Sequence, residues 1–208
     1  YQVGRRYCNH GVACLATIIW FFLVRAAFDN AYVDMGVTLF VFAACVAFYF
    51  WLEQPRQRPY LAMAAFFIGV AVGSKYQALS FLPVFAVVLL ISDRKPSTLL
   101  ITLACLLIPC IYWYARNAIM TGDPFDPIGG KLFGFTDWNL GDYAGQFLDL
   151  RRQAGWPHWV LWPALLTPFV KKVRDSSSMR AAMALCAYSL LVWVVTSHYP
   201  RYLMPAYP

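Results

Sequence analysis

The sequence predicts an all-α fold: a polytopic bundle of about seven transmembrane helices with one long loop at the outer membrane face. Two observations of composition and one of pattern support this prediction. Hydrophobic residues make up 61% of the 208 residues and charged residues only 13%, whereas about a quarter of the residues are charged in soluble domains. The apolar residues form continuous runs, many of them close to the ~20 residues that a helix needs to cross a bilayer. Because the runs do not alternate between apolar and polar positions, a transmembrane β-barrel is excluded.

The seven apolar runs are separated from one another by charged residues and prolines. They comprise residues 11–28, 35–52, 60–74, 79–92, 99–115, 159–170 and 181–197. The third and sixth runs are short for a hydrocarbon layer of about 30 Å. An error in the predicted boundaries or local thinning of the membrane would explain them. Outer helix ends that open into a protein-lined cavity, into which Lys75 reaches, would explain them equally well.

The distribution of basic residues predicts which side of the membrane each loop faces. Alternating the runs places ten of the 17 basic residues on one side, beside only Glu53, Asp93 and Asp175. Basic loops remain in the cytoplasm, so the opposite side faces outward. We therefore predict a protein of the bacterial inner membrane with its active site on the periplasmic side. The net charge of +7 is explained by these loops, and nucleic acid is not a predicted partner. The ten residues are Arg5, Arg6, Arg56, Arg58, Arg94, Lys95, Lys171, Lys172, Arg174 and Arg180.

Residues 1–208 are predicted to form a single transmembrane domain, in which residues 120–157 form the long outer loop. Within this loop, residues 141–155 have the apolar spacing of an amphipathic helix that lies in the membrane interface. The chain begins with Tyr1 rather than Met, and its first residues show no signal-peptide pattern. We interpret it as an internal piece of a longer protein. The six cysteines have no metal-ligand spacing and are interpreted as packing residues.

Acidic and basic side chains gather on the predicted outer face, which suits a substrate with an anionic head and a lipid tail. Arginine binds phosphate bidentately and lysine binds it as a point charge, while a carboxylate can bind a metal or accept a proton. Structural roles compete with these functions. Asp34 would also suit a helix cap, Lys75, Arg116 and Arg201 would suit interfacial anchors, and the histidines are too isolated to be metal ligands. The complete set is Asp29, Asp34, Lys75, Arg116, Asn117, His158, His198, Arg201 and Tyr202.

Four stretches on this face resemble motifs of the GT-C-fold membrane glycosyltransferases, the relatives of the lipid A aminoarabinose transferases and protein O-mannosyltransferases. Ala-Tyr-Val-Asp at 31–34 is similar to the second acidic motif of that family, and Gly-Val-Ala-Val-Gly-Ser-Lys at 69–75 to its glycine-rich helix ending in lysine. Residues 115–125, from Ala-Arg-Asn to Thr-Gly-Asp-Pro-Phe, resemble its Arg-Asn and Gly-Asn-Pro-Phe segment. Pro-Arg-Tyr-Leu-Met-Pro at 200–205 resembles its Arg-Tyr-Leu-x-Pro element.

This resemblance implies transfer of a sugar from a polyprenyl-phosphate donor to a lipid, glycan or protein acceptor on the outer face. In the family, an acid in the first outer loop activates the acceptor, and that loop would lie upstream of Tyr1. Asp34 is therefore the catalytic candidate within this chain, although a substrate or metal contact suits it better than the role of base. Basic side chains, with or without a divalent metal, would bind the lipid phosphate. The predicted substrate- and phosphate-binding residues are Lys75, Arg116, Asn117, Arg201 and Tyr202.

Two other functions use the same outer-face charges. A transporter or flippase for an anionic lipid would need them, but it also predicts charged residues along the depth of several spans. Here charged residues lie almost entirely at the ends of the runs. A non-catalytic membrane subunit is the second alternative. The predicted partners are the lipid-linked donor and membrane lipid, and the sequence makes no prediction of the oligomeric state.

Overall fold

The computed structural model describes residues 1, 4–29, 33–126, 159–195 and 203–204. All regular secondary structure within these ranges is helical, which confirms the predicted all-α class. Two 3-10 helices, Tyr76–Phe81 and Trp159–Phe169, accompany the α-helices. The α-helices are α1 (Gly4–Tyr7), α2 (His10–Asp29), α3 (Val33–Glu53), α4 (Arg58–Ser74), α5 (Leu82–Ser92), α6 (Pro96–Thr121), α7 (Lys171–Arg174) and α8 (Ser177–Val195).

Three of the described helices, α3, α6 and α8, are long and apolar enough to cross a membrane, with mean hydropathies of 2.1, 1.9 and 1.3 over the best windows. The apolar helices before and after α3, together with the segment that ends in α5, are shorter. A membrane-spanning helical bundle is therefore confirmed for the described part of the chain. The number of seven spans remains a prediction.

Helix α6 extends further than the fifth apolar run predicted. It continues through Arg116 and Asn117 to Thr121, so these two polar residues lie on the last turns of a helix rather than after it. A charge interrupts the apolar pattern without interrupting the helix, because arginine is a good helix former. Gly122 ends the helix with a left-handed φ of 79°, and its N–H donates to the carbonyl of Ala118.

The sixth run also differs in detail from the prediction. Trp159–Phe169 is a 3-10 helix with Pro163 and Pro168 inside it. Each proline lacks a backbone N–H and so removes a donor from a helical hydrogen-bond pattern. The predicted interfacial helix at 141–155 and most of the outer loop lie outside the described residues, so both remain predictions.

The core of the bundle is built around α3 and α4, and α4 packs between α3 and α6. One cluster of buried residues joins five elements and includes Val41, Ile68, Phe81, Cys110 and Leu185. A second cluster, nearer the other end, surrounds Trp51, whose exposed fraction is 1%. Burial of such aliphatic and aromatic side chains fixes the order of the helices.

One face of α6 carries large apolar side chains that no other described element covers. Leu100, Leu103, Ile108 and Ile111 are each more than half exposed. In water such a surface would promote association, but in a bilayer it is solvated by lipid chains. The exposed face therefore fits a membrane-embedded helix.

The helix ends sort into two sets. At one end, called here the Glu53 end, the Ser178 hydroxyl donates to Oε1 of Glu53 at 2.6 Å, so α8 begins where α3 ends. Arg6 donates to the Tyr49 hydroxyl at 3.3 Å, near the same end. The opposite end, called the Asp34 end, contains the start of α3 and the ends of α4 and α6. This arrangement is the alternation that the sequence predicted for these helices.

Asp93 stabilises the start of α6 at the Glu53 end. Its Oδ1 accepts the backbone N–H of Lys95 and its Oδ2 accepts the Thr98 hydroxyl, each at 3.0 Å. The hydrogen bond from the Lys95 backbone is the largest of several effects that lower the pKa of the Asp93 carboxyl. The carboxylate is thus ionised at neutral pH and meets the positive end of the helix dipole.

Two glycines let α4 approach the backbone of α6. A Cβ on Gly69 would lie 2.2 Å from the carbonyl oxygen of Leu106 and 2.8 Å from Cγ of Pro109. A Cβ on Gly73 would lie 3.1 Å from Cα of Cys110. Such backbone proximity is the means by which small residues allow membrane helices to pack without a hydrophobic driving force.

We expect Gly69→Ala to lower the free energy of unfolding by about 1–3 kcal/mol, because the added methyl group would force α4 away from the α6 backbone. Gly36→Ala is the matched control, since no atom lies within 4 Å of a Cβ built at this position in α3. The control should be neutral or slightly stabilising, because alanine favours helix over glycine. Thermal unfolding in detergent measures both, and equal unfolding temperatures would contradict the proposed contact.

Candidate functional site

The sequence places an acid in the first turn of α3 and a base immediately after α4. Asp34 is the second residue of α3, and its exposed fraction is 4%. Lys75 follows α4 in an extended conformation, with φ −159° and ψ 133°, and its N–H donates to the carbonyl of Ala71. The change from helical to extended backbone turns the Lys75 side chain toward α3. Its Nζ donates to Oδ1 of Asp34 at 2.6 Å.

This ion pair is largely shielded from solvent. The exposed fraction of the Asp34 side chain is 5% and that of the Lys75 side chain 25%. A buried carboxylate is costly unless a charge or hydrogen-bond donor compensates it. Lys75 supplies the opposite charge, and the N-terminal turn of α3 adds the favourable end of its helix dipole. The pair therefore joins the start of α3 to the end of α4.

A second group of polar contacts begins at Tyr76, the residue that follows Lys75 in the sequence. The Asn117 amide, near the end of α6, donates to the hydroxyl of Tyr76. The same Nδ2 lies 3.4 Å from the backbone carbonyl oxygen of Asp126. The Tyr114 hydroxyl donates to the carbonyl of Val72 at 3.1 Å. These contacts join the ends of α4 and α6 at the Asp34 end of the bundle.

Sequence reasoning did not select Tyr76 or Tyr114 as site residues. The rings of Tyr76 and Tyr114 meet edge to face with centroids 5.8 Å apart, and Tyr114 meets Phe125 at 5.4 Å. One signal was present for Tyr114, because residues three apart in a helix share a face and Asn117 had been selected. No sequence signal distinguished Tyr76 from the other aromatic residues near membrane ends.

The structure therefore brings Asp34, Lys75 and Asn117 to one end of the bundle. Arg116 lies exposed on α6, and it forms no hydrogen bond or ion pair with a residue in the described ranges. Asp29 is the last residue of α2, and its side chain is not among the described parts of the structure. The predicted residues His158, His198, Arg201 and Tyr202 lie outside the described residues, so their placement stays a prediction.

The ion pair also bears on the predicted metal contact. Oδ1 of Asp34 is occupied by the Lys75 ammonium. Within residues 33–126 and the other described ranges, no three histidine, cysteine or acidic side chains gather closely enough to hold a metal ion. As arranged here, Asp34 holds the Lys75 ammonium in a fixed position.

We expect a double-mutant cycle to show strong coupling between Asp34 and Lys75. Lys75→Met alone leaves a buried carboxylate without its cation, which should cost about 3 kcal/mol, the low end for a buried pair because Lys75 is a quarter exposed. The double variant Asp34→Asn/Lys75→Met removes both charges and should recover most of this loss. Unfolding in detergent measures each variant, and additive losses would show that the two residues are not coupled.

Comparison with known proteins supports the resemblance seen in the sequence. Residues 1–113 match the family model described as dolichyl-phosphate-mannose-protein mannosyltransferase, and this stretch contains both Asp34 and Lys75. An uncharacterized protein of Shigella flexneri is 29% identical over 128 residues, which cover 55% of this chain and 69% of that protein. No solved structure matches the chain. Because the family match spans more than half of the 208 residues, the chain belongs to the dolichyl-phosphate-mannose-protein mannosyltransferase family of membrane glycosyltransferases.

Proposed function

We propose that this protein transfers a sugar from a polyprenyl-phosphate donor to an acceptor at the outer membrane face, and that Lys75 binds the donor phosphate. The family supplies the reaction class, a membrane glycosyltransferase that uses a polyprenyl-phosphate-linked sugar. One observation carries the assignment of the site. The Lys75 ammonium is held 2.6 Å from a buried carboxylate at the end of the bundle where α4 and α6 terminate.

The chemistry of the reaction explains the need for a cation. The bond between the sugar C1 and the phosphate oxygen breaks, and the acceptor oxygen forms a new bond to C1. The acceptor loses its proton to a base, and the departing polyprenyl phosphate gains negative charge. A fixed cation beside that phosphate stabilises the charge as it develops. Lysine suits this role as a compact point charge, and the low dielectric of the membrane strengthens its effect.

Asp34 acts through Lys75 in this proposal. Its carboxylate is 4% exposed and already accepts the Lys75 ammonium, so it is poorly placed to take a proton from an acceptor hydroxyl. We assign it as a positioning residue that fixes the ammonium at the end of α4.

Arg116 and Asn117 would complete the phosphate site from α6. Asn117 is held by its hydrogen bond to Tyr76, whereas the Arg116 guanidinium is exposed and has no partner in the described part of the chain. An arginine in this state can bind two phosphate oxygens at once. Arg201 and Tyr202 remain further candidates for donor binding on the same face.

The charges at the Glu53 end support the proposed outer-face orientation of the Asp34 end. Arg6 and Ser178 contact α3 near that end. Four further basic residues lie there: Arg56 between α3 and α4, Arg58 at the start of α4, and Arg94 and Lys95 between α5 and α6. Basic loops favour the cytoplasm. The Asp34 end would then face the periplasm, where the lipid-linked donor meets its acceptor.

We expect Lys75→Met to lower kcat/KM for the donor by about 100- to 1000-fold, the usual effect of removing one group that stabilises a developing anion. Lys75→Arg should recover part of the activity, and Asp34→Asn should fall between them because the ammonium remains but is less well positioned. The intact protein is reconstituted in liposomes together with membrane extract that supplies the acceptor. The assay measures the release of polyprenyl phosphate from polyprenyl-phosphate mannose.

Lys95→Met is the matched control, because Lys95 is exposed at the Glu53 end, and its activity should equal that of the wild type. Full activity of Lys75→Met would contradict the site assignment. Movement of the intact donor across the bilayer without cleavage would instead support the flippase alternative and contradict the proposed transfer.

A further inference from the structure

The turn that follows α6 contains two acidic residues whose carboxylates are not used in the ion pair of Asp34 and Lys75. Asp123 is fully buried, with an exposed fraction of 0%, and Asp126 is partly buried. Oδ1 of Asp123 accepts the backbone N–H of Phe125 at 2.7 Å. Oδ2 of Asp123 and Oδ1 of Asp126 are both buried and have no hydrogen-bond partner among the residues that the structure describes.

The fold brings these two carboxylates together with residues of α6 and of the 3-10 helix. The backbone N–H of Asp126 donates to the carbonyl of Asp123 at 3.1 Å, which closes the turn. The Asn117 amide reaches both the Asp126 carbonyl and the Tyr76 hydroxyl. These contacts place Asp123, Asp126, Asn117 and Tyr76 in one cluster at the end of α6.

Charge compensation within this cluster is incomplete. Neither carboxylate forms an ion pair with a residue that the structure describes, since Lys75 is bound to Asp34 and Arg116 is exposed on α6. A buried carboxylate oxygen without a partner is strongly unfavourable, and two neighbouring ones repel each other as well. This arrangement favours a positively charged ligand that carboxylate oxygens can coordinate.

We propose that Asp123 and Asp126, whose buried Oδ2 and Oδ1 accept no hydrogen bond from the described residues, bind a divalent cation of the Mg²⁺ or Mn²⁺ class. One or two carboxylates with water in the remaining positions is the usual protein environment of Mg²⁺. Calcium takes six to eight oxygens, more than two carboxylates supply, and zinc prefers the histidine and cysteine ligands that the cluster lacks.

The cation would hold the turn that follows α6 in its place beside Asn117 and Tyr76. This inference stands apart from the proposed transfer reaction, because it concerns metal binding and not turnover. Mn²⁺ is a direct probe, since the free ion has an electron paramagnetic resonance spectrum that is lost on binding. The purified protein in detergent, stripped with EDTA, is titrated with Mn²⁺, and Mg²⁺ is then added as competitor.

We expect the wild-type protein to bind one Mn²⁺ that Mg²⁺ displaces. Asp123→Asn and Asp126→Asn should each weaken binding by about tenfold or more, the usual minimum when a group of a metal site is removed. Asp93→Asn is the matched control, an acid of another loop whose contacts are the Lys95 backbone and Thr98, and it should bind Mn²⁺ as the wild type does. Unchanged binding in Asp123→Asn and Asp126→Asn would overturn the assignment.

Thermal unfolding supplies a second measurement that does not depend on counting ions. Mn²⁺ should raise the unfolding temperature of the wild type and of Asp93→Asn, and should leave Asp123→Asn and Asp126→Asn unchanged. Without metal, these two variants should be at least as stable as the wild type, because each removes one of two buried like charges. If the wild type neither binds Mn²⁺ nor gains stability from it, the proposed site is wrong.

Discussion

The close approach of α4 to α6 is the contact on which the rest of the described structure depends. The Cα of Gly69 faces the carbonyl oxygen of Leu106 so tightly that a methyl group would lie 2.2 Å from it. With α4 held in that position, its last turn meets both α3 and α6. Lys75 can then reach Asp34 on one side, while Tyr76 reaches Asn117 on the other. In a bilayer this packing has no hydrophobic driving force behind it, so the fit of small residues decides which helices become neighbours.

The buried carboxylates at the Asp34 end are of two kinds, one with a cation beside it and one without. Asp34 is compensated by an ammonium from a neighbouring helix, which produces a fixed cation at the end of α4. Asp123 and Asp126 lie in a single turn with their free carboxylate oxygens buried and directed at no cation of the described chain. The first arrangement suits the binding of a phosphate, and the second suits the binding of a metal ion. Both lie beside the contact between Tyr76 and Asn117, since Lys75 directly precedes Tyr76 and the Asp126 carbonyl accepts the Asn117 amide.

Family membership and geometry support different parts of the interpretation. The match over residues 1–113 establishes a membrane glycosyltransferase family and covers the helices that contain Asp34 and Lys75. Asn117 and the turn at Asp123 lie beyond the matched residues, and their arrangement rests on the structure alone. The phosphate site is thus proposed from a family reaction and a local ion pair together. The metal site is proposed from buried oxygen atoms without reference to the family.

The sequence by itself determined the helical class, the approximate bounds of most helices, and the division of charges between two ends of the bundle. Hydrocarbon length and the cost of exposed backbone in lipid leave few alternatives for long apolar runs. It also singled out Asp34, Lys75 and Asn117, because polar groups between apolar runs are conspicuous. Only the tertiary structure decided that Lys75 pairs with Asp34, since 41 positions separate them and no local pattern couples them. The continuation of α6 to Thr121, and with it the placement of Asn117 beside Tyr76, likewise depended on packing, because a charged residue ends an apolar pattern but not a helix.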